Sequence, residues 1–179
     1  MADLKKYSFN KYSEKYKQLF NKEKNKLKKL FPRAKIEHVG SSSINGLGGK
    51  GMIDVAISVS KNQIQNTIKK LERNGYDFRP KGGDKERSFF QKIIKYKGNE
   101  RRVHIQLTHS DSKSWKSMLA VRDYLRKNPK AQKEYERVKK EAIKYANSEG
   151  KKYREYKKSF LQKIEKLALK EYSNYLSFP

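Results

Sequence analysis

The sequence predicts an α+β fold: a small mixed β-sheet with flanking helices, and C-terminal helices packed on it. Three patterns carry that expectation. Met52 to Val59 is a β-branched run, Ser88 to Thr108 reads as two strands around a turn, and apolar residues recur at helical spacing at both ends of the chain. A chain of 179 residues is long enough to bury a core and is expected to form one domain over 1–179. Residues 1–110 would supply a helix and the sheet, and 111–179 the C-terminal helices.

The elements follow in order. Residues 10–31 read as a helix, with Tyr12, Tyr16, Leu19, Phe20, Leu27, Leu30 and Phe31 at helical spacing and Lys between them. Phe31-Pro32 ends it, because a residue before proline is pushed out of the helical region. Lys35 to Val39 is a short strand. In Met52 to Val59, Asp54, Ala56 and Ser58 share one face. Asn62 to Asn74 is an amphipathic helix stopped at Asn74-Gly75, and Tyr76 to Arg79 a short strand. Ser88 to Tyr96 and Arg102 to Thr108 are strands joined through Lys97-Gly98-Asn99-Glu100. Three helices complete the chain: Ser114 to Lys127, Pro129 to Ala146 with Gly150 after it, and Lys151 to about Tyr172. The last has Tyr153, Tyr156, Phe160, Ile164 and Leu167 as its apolar stripe. Their sparse apolar content predicts that they cover the sheet rather than form a core of their own. Trp115, Met118 and Leu119 read as core, and His109 as a turn residue.

The formal charge is +26, from 45 basic and 19 acidic residues. It is spread as +9 over residues 1–35, +7 over 36–110 and +10 over 111–179, so no basic tail stands out. A Lys-biased composition, with only 10 Arg, explains a diffuse charge as well as a functional field does. Either way polyanions, nucleic acid included, should adhere at low salt and leave steeply as salt rises. The absence of cysteine excludes disulfides and thiolate metal sites. No run of about 18 apolar residues and no apolar signal core are present, so no membrane association and a cytoplasmic location are expected.

The densest stretch runs from Glu37 to Val55. Strand Glu37-His38-Val39 leads into Gly40-Ser41-Ser42-Ser43, then Gly46-Leu47-Gly48-Gly49-Lys50, then the strand bearing Asp54. A Gly-Ser pair leaving a strand offers backbone N–H groups and hydroxyls to an anion. Gly40 allows close approach, and Ser41 and Ser42 can donate to phosphate oxygens. Asp54, on the following strand, offers a ligand for Mg²⁺ bridging phosphates. The same spacing also suits a turn with capping serines and a strand-edge Asp, and spacing alone does not choose between the two. No Gly-Lys-Ser/Thr ends the loop, so it is not a Walker loop. His38 stands at the cleft mouth or packs. His104 reads as metal ligand, general base or structural hydrogen-bonding group. Lys50, Arg87 and Arg122 are candidate phosphate clamps, with an Arg122–Asp123 ion pair locking the helix as the other reading.

Glu37 to Ser43, Gly46-Leu47, Lys50 and Ile53-Asp54 closely resemble the signature of the GrpB family. The resemblance continues in Arg87-Ser88-Phe89-Phe90, Val103-His104-Ile105-Gln106-Leu107 and Trp115. It extends through Arg122-Asp123-Tyr124-Leu125-Arg126, Asn128-Pro129 and Tyr135 to Tyr156-Lys157 and Phe160. It implies a nucleotidyltransferase-like fold. It further implies that Gly40 and Ser41 hold a triphosphate and that Asp54 is the first of two metal-binding acids spaced one residue apart. This chain departs at the second, where Ala56 stands, and at Gln106, where relatives commonly carry a second His.

Two functions follow as expectations. One is a nucleotidyl or phosphoryl transferase with Asp54 and His104 catalytic, Asp54 on Mg²⁺, and Gly40, Ser41, Ser42, Lys50, Arg87, Arg122 and His38 around the phosphates. The other, favoured by Ala56, is a non-catalytic protein binding a nucleotide or phosphorylated small molecule on the same fold. An RNA-binding accessory rests on charge alone.

Overall fold

The structure is a computed structural model that describes residues 8–176. Its sheet has five strands in the order β1-β2-β5-β4-β3. These are β1 (Lys35–Val39), β2 (Ile53–Ser58), β3 (Asp77–Phe78), β4 (Ser88–Tyr96) and β5 (Asn99–Thr108). β2 and β5 are parallel, and the other pairs are antiparallel, so the sheet is mixed. The helices are α1 (Lys15–Leu30), α2 (Ile64–Arg73), α3 (Lys113–Lys127), α4 (Pro129–Ala146) and α5 (Gly150–Leu176).

Strand alternation sorts the sheet into two faces. Ile36, Ile53, Val55, Ile57, Phe90, Val103, Ile105 and Leu107 point to one face and bury against Leu19, Phe20 and Leu27 of α1 and Leu71 of α2. Asp54 pairs in register with His104, and Ala56 with Gln106, so all four stand on the opposite face. There Trp115, Met118 and Leu119 of α3 cover Val39 and Ala56. The α3 N-terminus is capped by Ser112, whose hydroxyl accepts from the Trp115 N–H and so fixes where Trp115 enters.

Local chemistry moved several boundaries. Residues 10–14 are not helical, because the Asn10 backbone forms a two-bond bridge with Gly49 and the Tyr12 hydroxyl donates to Asn45. The β4–β5 connection is only Lys97-Gly98, both at positive φ, the signature of a tight two-residue hairpin turn, so β5 starts at Asn99. α4 stops at Asn147 in the left-handed conformation, and Gly150 opens α5 rather than trailing α4. In α5 the buried register is Tyr153, Phe160, Ile164 and Ala168, while Tyr156 and Leu167 are exposed.

Of the C-terminal helices, α3 covers the sheet as expected, and α4 and α5 add a core of their own. α3 meets β1 and β2, whereas α4 and α5 pack on α3, on each other and on the loop after β1. Leu125, Tyr135, Val138, Phe160 and Ile164 bury Ile44 and Leu47 of that loop, and Ala142, Ala146 and Tyr153 form a smaller cluster. Apolar residues supplied by the loop make this second core possible, and it leaves a cleft between the helices and the Asp54 face of the sheet.

One polar contact sits inside the α1 side of the core. The Tyr76 hydroxyl donates to the Glu23 carboxylate, which is 1% exposed, and burial raises the Tyr76 pKa far above its ordinary value. Removing the donor strands a buried acceptor. Tyr76→Phe should therefore lower unfolding free energy by about 1–3 kcal/mol, read from urea denaturation.

Candidate functional site

The cleft has a volume of about 530 Å³ and lies beside the N-terminal end of β2. Its floor begins where β1 ends. Gly40 adopts φ +70°, which turns the chain sharply into a 3₁₀ turn over Ser41–Ser43. A Cβ at Gly40 would meet Asp54 Oδ2 at 2.5 Å, so the backbone lies directly against that carboxylate. Asp54 Oδ1 is 3.2 Å from Nδ1 of His104, and the His104 ring meets Phe89 edge-on. Donation of Nδ1–H to Asp54 leaves Nε2 as a proton acceptor.

The Gly-rich loop closes one side and is clasped from two directions. From α4, Glu136 accepts from the Gly48 N–H at 3.4 Å, and the Lys139 ammonium donates to the Gly48 carbonyl. From the N-terminal segment, Asn10 exchanges both backbone hydrogen bonds with Gly49, and Phe9 occupies the space a Gly48 side chain would need. Lys139 also donates to Ser41 Oγ at 3.1 Å and lies 4.5 Å from the centre of the Tyr135 ring. Burial, helped by Lys157 and Lys140, lowers its pKa to about 7, with Glu136 opposing. The Tyr135 phenol, buried beside Ser41, is pushed up to about 12.

Further cations complete the wall. Lys50 and Lys157 both lie over the Tyr153 ring, at 4.5 and 4.3 Å from its centre. Burial and then Lys50 lower Lys157 to about 8. Ile44, Leu47, Met118, Val121, Leu125 and Leu161 give the cleft an apolar side. A bound ligand would thus meet a hydroxyl and ammonium groups at one end and aliphatic side chains beside them.

The residues singled out from the sequence fall into three groups. Gly40, Ser41, Lys50, Asp54 and His104 line the cleft together. Arg87 and Arg122 line it too, but with donors already engaged. Arg87 holds Gln106 Oε1 at 2.5 Å and Asp84 at 3.0 Å. Arg122 grips Asp123 through Nε and Nη2, and Glu37 and the His38 carbonyl through Nη1. It locks α3 to β1. His38 stands apart, because it pairs with Val55 rather than Asp54 and so points to the other face of the sheet. Its ring stacks on Phe20 at 4.5 Å, and its Nε2 bonds Oγ of Ser42, a residue of the cleft lining, at 3.0 Å.

Lys139, Lys157, Tyr135 and Tyr153 were not read from the sequence as site residues. A signal existed: Lys139 sits in the α4 buried stripe with Tyr135, Val138, Ala142 and Ala146, and Lys157 stands between Tyr153 and Phe160 in α5. A lysine at a core position of a helix is a functional candidate, but 35 lysines conceal it.

Among the described residues no three His, Asp or Glu side chains gather as a metal site. Asp54 could supply the carboxylate for one Mg²⁺, with His104 orienting that carboxylate through Nδ1. They do not suffice for two ions, since Ala56 is sealed under Trp115 and Gln106 is held by Arg87.

The family model described as GrpB protein matches residues 7–167. UPF0157 protein YqkA of Bacillus subtilis is 34% identical over 107 residues, which are 59% of this chain and 30% of that protein's length. The crystal structure of conserved protein GrpB from Enterococcus faecalis matches with a TM-score of 0.79 at 29% identity, covering 92% of this chain and 99% of that one. The Cid1 poly(U) polymerase matches with a TM-score of 0.51 at 14% identity, over 76% of this chain and 45% of that one. That last likeness concerns the fold alone, and the fold is nucleotidyltransferase-like.

Two outcomes follow from this geometry. Gly40→Ala and Gly46→Ala both place a side chain at positive φ, but only Gly40 has Asp54 in the way. Gly40→Ala should cost about 1–3 kcal/mol more than Gly46→Ala in matched unfolding curves. His38 is pushed down to about 4 by burial, from 6.5 when unfolded. Between these values the unfolded chain binds more protons, so stability should fall as pH drops from 6.5 towards 4. His38→Gln should shrink that loss in melting curves taken across the same window.

Proposed function

The chain belongs to the GrpB family, and we propose that its cleft binds the phosphate groups of a nucleotide or another phosphorylated small molecule. One observation carries the reading: Ser41, Lys50, Lys139 and Lys157 converge on a cleft at the end of the sheet where Asp54 provides the carboxylate. Ammonium groups drawn partly out of water along an open cleft favour an anionic occupant, which restores hydration energy as ionic contacts. The Cid1 structure is described as bound to MgATP, which supports a nucleoside triphosphate as the first ligand to try.

Asp54, with His104 beside it, would hold one Mg²⁺, which when bound would screen charge on the phosphates. The protein's own part is to position. Ser41, positioned by Lys139 behind it, orients one phosphate, Lys50 and Lys157 supply positive charge, and the aliphatic wall excludes water from the rest of the ligand. Nucleotidyl transfer is the second reading, favoured by the Asp54–His104 pair. A carboxylate-oriented imidazole is placed to take a proton from an attacking hydroxyl. Ala56 and Gln106 weigh against it, and binding without turnover is the simpler conclusion.

Thermal shift tests both. ATP with Mg²⁺ at about 100 times its dissociation constant should stabilise the protein by about 2.7 kcal/mol, a rise of several degrees. Ser41→Ala should weaken that shift at least tenfold in ligand concentration, roughly one charge-assisted contact, and Lys139→Met, which releases the Ser41 hydroxyl, should weaken it in the same direction. Asp54→Ala should remove only its Mg²⁺-dependent part. An unchanged Ser41→Ala titration would sink the phosphate assignment. Pyrophosphate release in the presence of an acceptor would establish transfer.

A further inference from the structure

We propose that Lys157 is a reactive amine that condenses with the carbonyl group of a small phosphorylated aldehyde or ketone held in the cleft. The proposal rests on the reading of the cleft as a phosphate site and adds a covalent chemistry to it.

Access separates Lys157 from its neighbour Lys139. Lys139 is 1% exposed, and its ammonium is tied to the Gly48 carbonyl and to Ser41. Lys157 is half-buried and lines the open cleft, with its side chain laid along two tyrosine rings. Of the two, Lys157 is the amine able to turn towards a ligand. Its surroundings also make it a nucleophile. The groups acting on it are Lys50 of the loop, Arg154 of α5 and Lys139 of α4, which oppose its charge, and Asp54 of β2, which favours it. The rings of Tyr153 on α5 and Tyr135 on α4 flank it, and Lys50 shares the Tyr153 ring. Burial and the neighbouring cation together hold Lys157 at about 8, so a substantial neutral fraction exists near neutral pH. A lysine taken out of water beside a second cation is a recurring way of activating an amine for imine formation.

The step balances without a further reagent. The neutral Lys157 nitrogen adds to the carbonyl carbon and a C–N bond forms. The resulting carbinolamine loses the former carbonyl oxygen as water, which carries away the two amine protons, and a C=N bond remains. The Ser41 hydroxyl, held in place by Lys139, would meanwhile meet the ligand's phosphate and so set which carbonyl compounds reach Lys157.

Pyridoxal 5′-phosphate is a direct probe. The full chain is incubated with it, reduced with borohydride and mapped by peptide mass spectrometry. One dominant adduct on Lys157 is expected, suppressed by inorganic phosphate and by ATP. Pyridoxal, which lacks the phosphate, should react about tenfold more slowly, the loss of one charge-assisted contact. Lys157→Met should abolish that adduct, and Lys50→Met should move the pH midpoint of labelling upward by removing the opposing charge. Labelling scattered over surface lysines, labelling of Lys139 instead, or an unmoved midpoint in Lys50→Met overturns the proposal. If Lys157→Met fails to fold, the mapped site and the Lys50→Met profile still decide. ATP stabilisation without a Lys157 adduct removes the imine and leaves the phosphate site standing. A Lys157 adduct indifferent to phosphate upholds the amine and removes the phosphate site.

Discussion

The arrangement depends on one buried ammonium. Lys139 reaches from α4 to the Gly48 carbonyl and the Ser41 hydroxyl, and so ties the C-terminal helices to the loop that leaves the sheet. Burying an ammonium costs several kcal/mol unless its donors are met. Here a carbonyl, a hydroxyl and the Tyr135 ring meet them. The same contacts leave Ser41 facing the cleft and pin Gly48, whose N–H is taken by Glu136 of the same helix. With Asn10 bridging Gly49 from the other side, a loop of small residues with little conformational preference is held in one shape. Preorganisation of that kind lets a loop bind an anion without first losing its own entropy.

A second constraint is the parity of the strands. β2 and β5 run parallel in a register that sets Asp54 beside His104, and every second residue follows them. Gln106 joins them and recruits Arg87, whereas Ala56 disappears under Trp115. A guanidinium therefore lies beside Gln106, where the resemblance implies a second His, and an indole covers Ala56, where it implies a second acid, so this face carries one carboxylate–imidazole pair at Asp54 and His104. His38, one residue off in parity, is committed to the Phe20 side of the sheet and supports the turn through Ser42 rather than the cleft.

The net charge of +26 acquires a narrower meaning in this setting. A few of its lysines form short-range pairs with Glu, such as Lys140 with Glu136 and Lys152 with Glu149, which stabilise little on an exposed surface. Lys139 and Lys157 differ because tyrosine rings and burial surround them. Desolvation, not number, makes those two chemically distinct.

The sequence by itself determined the class of fold, the strands that carry Asp54 and His104, and the Gly40–Ser41 turn. These depend on local patterns: β-branched alternation, glycine at a sharp turn, serine after it. The Ala56 gap was legible through the family resemblance, which implies a second acid there, while strand parity places that residue on the face of Asp54. Only the tertiary structure decided what α4 and α5 contribute. Lys139 and Lys157 occupy core registers of their helices, yet a lysine among 35 carries no mark of burial until a partner helix and a loop close over it. Tyr156 looks more apolar than Lys157, but the α5 register that faces inward runs through Tyr153, Lys157 and Phe160 and leaves Tyr156 outside. Packing between elements distant in sequence chooses that register, and with it which cations lose their water and face the cleft.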